Sequence, residues 1–310
     1  MSKKYVRPSD YIKPININGL EGRYISVPAQ SKNSKTQILV VYDMNSNIEQ
    51  WWGLLAALSR YGKVTMVDLP GIGGMESFYK IKVSPSLDNY ADYLASVVKL
   101  KFKRGKVAIV GIGFGFTVVT KMLQRNNDLL KKPSILIAMN GYTHFDDLAI
   151  NRTKRMNRSF QETVKATALV SFILKNTLYT QLALEYKYDL NSEKKPVKNR
   201  RYLEKRFLID LEMECDQRTR YSIIRQMLNL DLCSVKVPGR LWHITTPIQS
   251  PVVKPNVVEQ HARIIYEDYK RLPAKGIKSI PVVLNDEKTA LKLLPARIRR
   301  ELKSLSSKKL

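Results

Sequence analysis

A mostly parallel, doubly wound α/β sheet with helices on both faces, interrupted by a helical insertion, is the fold this sequence predicts. Three observations predict it. From about residue 36 to 140, short continuous apolar runs alternate with segments of helical apolar spacing, the pattern of strands buried on both faces and joined by crossover helices. The alternation stops at about residue 145, and the chain then reads as helical to about 235. It resumes from there towards the C-terminus.

Taken in order, residues 1–20 are polar and carry prolines, which predicts an arm lying on the surface. Residues 22–29 (GRYISVPA) read as an early antiparallel strand or hairpin. Residues 36–42 (TQILVVY) and 63–69 (KVTMVDL) are buried strands, with a helix at 49–61 between them. A Gly/Pro loop at 70–74 leads to a helix at 87–99 (LDNYADYLASVVK). A strand at 107–112, a helix at 116–124 and a strand at 134–140 (SILIAMN) complete the first half. After the helical insertion come a strand at 239–244, a helix at 257–271, a strand at 278–284 (KSIPVVL) and a basic helix to about 305. The predicted domains are a core of 1–144 with 236–310 and an inserted cap of 145–235.

The 310 residues are enough for one large core, or one core with an inserted subdomain. Fifty-three Lys and Arg against 27 Asp and Glu give a net charge of +26, which favours contact with nucleic acid, acidic membrane surfaces or acidic partners. The densest basic stretch contains Lys194, Lys195, Arg200, Arg201 and Arg206 with Tyr202 and Phe207 interleaved, and a second group at Arg297, Arg299, Arg300 and Lys303 marks the final helix. A solvated basic surface has the same composition. Two cysteines, Cys215 and Cys233, exclude a disulfide framework and a cysteine zinc site. The N-terminal charges are not followed by an apolar segment, and no run reaches the roughly 18 apolar residues of a membrane span. A cytoplasmic protein without a transmembrane segment is therefore expected.

The chemistry concentrates at residues 106–123, KVAIVGIGFGFTVVTKML. An apolar strand passes through Gly111-Ile112-Gly113-Phe114-Gly115 into a helix, so the turn is very tight. A dinucleotide-binding turn would need a third glycine where Phe116 stands, and an acidic residue some 20 positions on at a strand end. It would also belong in the first βαβ unit, not third in the series. A nucleophile elbow has the same strand–turn–helix outline.

The surrounding landmarks favour the elbow, and from about residue 36 to 305 their order resembles the α/β-hydrolase superfamily. Asp68-Leu69-Pro70-Gly71-Ile72-Gly73 matches the Asp-x-Pro-Gly-x-Gly segment of that family. The run VVYDMNSNIEQWW, with Trp51 and Trp52, sits where the family has its oxyanion loop, and the insertion after the sixth strand matches the family's helical cap.

The same resemblance implies which residues should carry a Ser-His-Asp triad, and they are not there. The nucleophile position holds Gly113, which relieves the strain such an elbow imposes. Thr117, one turn on, should point away from the tip. The His-Gly pair of the oxyanion loop is replaced by Tyr42-Asp43, with Met44 as a remaining backbone donor and a carboxylate that would oppose a developing oxyanion. No carboxylate occurs in 243–249, and no histidine follows the last strand. Of the three histidines, His243 is expected in the core of its strand and His261 on a helix surface. His144, followed by Asp146 and Asp147, sits where the cap meets the sheet edge, as a helix start with capping carboxylates or as an acid–base group.

A protein that binds a ligand or partner without catalysis is therefore expected, with a pocket formed by Tyr42, Asp43, Met44, Gly113, Phe114, His144 and Asp146. No metal and no cofactor are implied. A cap helix over 167–184 would roof the pocket with Leu169, Phe172 and Leu182, suiting a small apolar ligand or a protein partner. Two alternatives stay open: a divergent hydrolase of esters or other small apolar substrates working through residues at the cap mouth, and a basic module that binds nucleic acid or a membrane surface.

Overall fold

The structure, a computed structural model, describes residues 8–31, 34–103, 107–129, 133–191, 199–246, 253–274 and 283–307. Among them, eight strands form one sheet in the order β1-β2-β4-β3-β5-β6-β7-β8. The strands are β1 (Ile12–Ile17), β2 (Leu20–Val27), β3 (Gln37–Val41), β4 (Lys63–Val67), β5 (Val107–Ile112), β6 (Pro133–Met139), β7 (Val237–Thr245) and β8 (Tyr266–Pro273). From β4 to β8 every pairing is parallel, while β1–β2 and β2–β4 are antiparallel. The centre of the sheet is apolar on both sides: all of β5 is buried, and Ile38 to Val41 are fully covered. Helices α1 (Trp52–Leu58), α2 (Leu87–Lys101) and α3 (Phe114–Arg125) connect the first strands.

Two sequence expectations are corrected at the ends of the sheet. The predicted surface arm contains β1, paired with β2 across a two-residue turn in which Asn18 and Gly19 both have positive φ (53° and 82°). Asn-Gly is the pair that such a turn requires, and Ile15 and Ile17 alternate inwards beside it.

At the other end, the helix predicted over 257–271 stops at Ile265 as α9 (Pro255–Ile265), and the chain continues as β8. Tyr266 and Tyr269 mimic helical spacing, but they are the buried residues of an edge strand whose other positions are mostly charged. The strand predicted over 278–284 lies mainly outside the described residues, and Val283 and Leu284 are not in a strand. The last helix is divided at Leu294 and Pro295 into α10 (Glu287–Leu293) and α11 (Ala296–Ser307).

Between β6 and β7 lie five helices: α4 (Arg152–Lys165), α5 (Ala168–Thr177), α6 (Gln181–Asn191), α7 (Asn199–Glu214) and α8 (Gln217–Met227). The junction of α7 and α8 sits on the loop after β4. The backbone N–H of Asp216 donates to the carbonyl of Gly71 at 3.0 Å, and the Thr219 and Ser77 hydroxyls share a 2.8 Å hydrogen bond. The single helix predicted over 167–184 is broken at 178–180, where the Thr180 hydroxyl accepts the N–H of Ala183 and so caps α6.

Under that loop, Asp68 is fully buried. The Arg23 Nε donates to it at 2.9 Å, and the Tyr42 hydroxyl donates at 2.7 Å. Burial pushes its carboxyl up to about 7 while Arg23 and Tyr42 hold it down. Arg23 also reaches Glu49 at 2.7 Å and the Gly73 carbonyl at 2.6 Å. An Arg23→Gln variant is expected to lose about 2–4 kcal/mol in denaturant unfolding, because Asp68 keeps its burial without its cation. Adding Asp68→Asn should return part of that loss, and strictly additive losses would show that the pair is not coupled.

Candidate functional site

The turn between β5 and α3 is the elbow. Gly113 has φ 51° and ψ −122°, a conformation that side-chain-bearing residues adopt only under strain. Its N–H donates to the Met139 carbonyl at 3.0 Å, and its own carbonyl accepts the N–H of Phe116 at 3.1 Å, so both sides of the turn are pinned. Thr117 does not face the tip: its hydroxyl donates to the Tyr142 carbonyl at 2.7 Å in a fully buried position.

The space above Gly113 is occupied. Asp43, two residues past the end of β3, folds its carboxyl group over the elbow. One oxygen, Oδ1, accepts the N–H of Phe114 at 2.9 Å and the N–H of Met44 at 2.8 Å. A Cβ at position 113 would overlap the Asp43 carboxyl carbon and lie 2.7 Å from Oδ1. Loss of hydration raises the Asp43 carboxyl above the ordinary carboxylate range, and the two backbone N–H groups act in the opposite direction. Both of these N–H groups are thus satisfied by a side chain of the chain itself.

The other predicted pocket residues lie elsewhere. Tyr42 is fully buried, donates to Asp68 and accepts the N–H of Leu69 at 3.2 Å, so its hydroxyl is committed to the core. A cavity of about 170 Å³ lies between core and cap, lined by Met44, Ile72 and Gly73 on one side and by Leu208, Leu211 and Cys215 on the other. Of the predicted pocket residues, Met44 alone contributes to its walls. The expected roof is absent from it. Leu169, Phe172 and Leu182 are 70%, 66% and 80% exposed, which corrects their placement over a pocket.

The His144 group forms a second cluster. Asp147 is fully buried and accepts three hydrogen bonds: the N–H of Thr143 at 2.8 Å, the N–H of His144 at 3.0 Å and His261 Nδ1 at 2.6 Å. The rings of His144 and His261 lie 4.1 Å apart. His144 Nδ1 accepts the N–H of Asp146, so His144 caps the short turn at 145–147. Burial lowers the His144 pKa, and the neighbouring His261 lowers it further.

His261 is therefore not a free surface residue; its partner lies 114 positions away in sequence, and no local pattern could show it. Asp146 remains exposed, with His144 at 3.9 Å. The nearby thiol of Cys233 is pushed up to about 11, mainly by burial, and that of Cys215 to about 12, so neither is a ready thiolate. Among the described residues, no group of His, Cys, Asp and Glu is arranged to hold a metal ion.

His243 stands in β7 with its Nδ1 2.9 Å from the Tyr269 hydroxyl, while Nε2 is buried without a partner. Burial lowers its pKa to about 4, and Arg271 acts in the same direction. The unfolded chain protonates this group near 6.5 and the folded protein only near 4. Its contribution is therefore complete above pH 6.5 and is lost as the pH falls through that window, amounting to about 3 kcal/mol. Asp68 acts with the opposite sign, since a raised carboxyl makes stability fall as the pH rises from about 4 to 7. The check is the native protein minus His243→Leu in urea at several pH values, where the Asp68 contribution cancels and a pH-independent difference would refute the assignment.

Of the basic residues singled out, Lys194 and Lys195 lie outside the described residues. Arg200 and Arg201 fall on α7, and Arg206 is 3.6 Å from Asp210. Arg297 packs over Trp242, its guanidinium 5.0 Å from the ring centroid. Among the described residues, no helix is long and apolar enough to cross a membrane.

The sheet order, the elbow and the helices inserted after β6 together define an α/β-hydrolase fold. The solved structures agree. A bacterial membrane phospholipase A matches 96% of this chain and 87% of its own length with a TM-score of 0.64 at 12% identity. The enol-lactonase of Burkholderia xenovorans LB400 matches 94% and 99% (TM-score 0.63, 15% identity), and an epoxide hydrolase of Bacillus megaterium matches 96% and 100% (0.61, 14%). At such identities the likeness is one of fold. No family model and no curated protein matches the sequence.

Proposed function

We propose that this is a non-catalytic α/β-hydrolase-fold protein that works by binding. The observation that carries the reading is the Asp43 carboxyl seated on the Phe114 and Met44 N–H groups above a glycine. A hydrolase of this kind needs a nucleophile at the elbow, a base to activate it and a vacant oxyanion hole. Here the first is replaced by Gly113 and the last is filled. The sequence has no histidine after His261, and so none after β8. The cavity between core and cap, at about 170 Å³, is below the size of a usual ligand pocket.

The alternative of a divergent hydrolase rests on the His261–Asp147 pair, whose 2.6 Å contact could orient an imidazole as a base. The thiol near it, that of Cys233, is raised by burial and is not a ready nucleophile. Purified protein should give no fluorophosphonate labelling and no turnover of p-nitrophenyl esters. Turnover abolished by His261→Ala would overturn the non-catalytic reading and place an active site at the cap mouth.

A further inference from the structure

We propose that the outer face of α4 and α5 docks on an anionic lipid surface. These two helices are amphipathic in the reverse of the usual sense. Their inward side, packed towards α8, uses small and polar groups: Glu162 and Ser171 are buried, and Ser159 accepts a hydrogen bond from Asn229 at 2.9 Å. Their apolar residues point the other way. Met156 and Phe160 are four positions apart on α4, and Leu169 and Phe172 are three apart on α5, so each pair shares one helix face. All four are more than 60% exposed. Leu178, which ends α5, and Leu182, in the first turn of α6, extend the apolar surface. An exposed apolar patch of this kind marks an interaction surface.

The charges around it name the partner. Residues 151–180 carry six cations, among them Arg152, Lys154 and Lys175, and a single carboxylate. That carboxylate, Glu162, is buried and lies 3.4 Å from Lys165 and 3.8 Å from Arg158. The face therefore presents large apolar side chains among uncompensated cations. A bilayer takes both, the rings and leucines at the acyl boundary and the cations at anionic headgroups. A second copy of the chain would set like charges against each other, and the aliphatic Leu169, Leu178 and Leu182 offer no ring for a nucleic-acid base to stack on. Docking here requires no catalysis and stands independently of the elbow.

The test is co-sedimentation of the full chain with vesicles of phosphatidylcholine alone or mixed with phosphatidylglycerol. Binding is expected to the mixed vesicles, weakening as salt is raised. The double substitution Leu169→Ser and Phe172→Ser should reduce it by about tenfold or more, and Arg152→Gln and Lys175→Gln by about fivefold each. Because these side chains face solvent, melting curves of the variants should match the native protein and separate lost docking from lost folding. Four results would overturn the proposal: no binding to mixed vesicles, equal binding to phosphatidylcholine alone, binding untouched by the serine pair, or a dimer that Leu169→Ser dissociates.

Discussion

Gly113→Ser is expected to lose about 2–4 kcal/mol of stability and to gain no esterase activity. Two physical terms add. A side chain at φ 51° and ψ −122° is strained by about 1–3 kcal/mol. Its Cβ also meets the Asp43 carboxyl group, which must leave the Phe114 and Met44 N–H groups or force the turn open. The new hydroxyl would still have no histidine base and no vacant oxyanion hole. Denaturant unfolding and fluorophosphonate labelling measure the two halves of the prediction separately. Combining Gly113→Ser with Asp43→Ala should recover part of the lost stability, since the second change removes the overlapping atoms. A serine variant as stable as the native chain and reactive to the probe would mean that Asp43 does not hold this position.

Asp147→Ala should be the most damaging single change at the cap mouth, at about 3–5 kcal/mol. The carboxylate has no solvent exposure and joins three groups: the N–H groups of Thr143 and His144 in the loop after β6, and His261 on α9. Alanine strands the buried N–H of Thr143, the N–H of His144 and an imidazole that had been paired with a carboxylate. Asp147→Asn keeps an acceptor oxygen and should lose about half as much. Because the Thr143 carbonyl also accepts the N–H of Leu232 where the cap returns to the core, the alanine variant should be cut faster by protease at the cap boundaries. Cap cleavage at the native rate, with full stability, would show that the triple contact is incidental.

The two cases differ in how far they could be read in advance. That position 113 is a glycine in a tight elbow, and that Asp43 lies in the oxyanion loop, are local facts of the sequence. Spacing could place that carboxylate near the hole and identify it as hostile to an oxyanion. Only the fold shows Oδ1 taking both donors. The Asp147–His261 contact had no such trace, because it joins residues 114 positions apart whose neighbours resemble a helix cap and a helix surface.

The cap gave the opposite lesson. Its apolar stretch reads as a roof because burial is the usual fate of Leu169, Phe172 and Leu182, yet helical periodicity defines faces without saying which face turns inwards. Packing on α8 chose the polar side.

By itself the sequence determined the alternation of buried strands and helices, the glycine elbow and the place of the helical insertion, because each depends on residue type and short-range spacing. It also contained the Asn18-Gly19 turn that makes β1 a strand. The tertiary structure alone decided that Asp43 takes the Phe114 and Met44 N–H groups above the elbow, that Asp147 binds the cap mouth to α9, that β8 follows Ile265 directly and that the cap turns its apolar side to solvent. Those outcomes are set by contacts between distant segments, where hydrogen bonding and packing choose among arrangements that local propensity leaves equal.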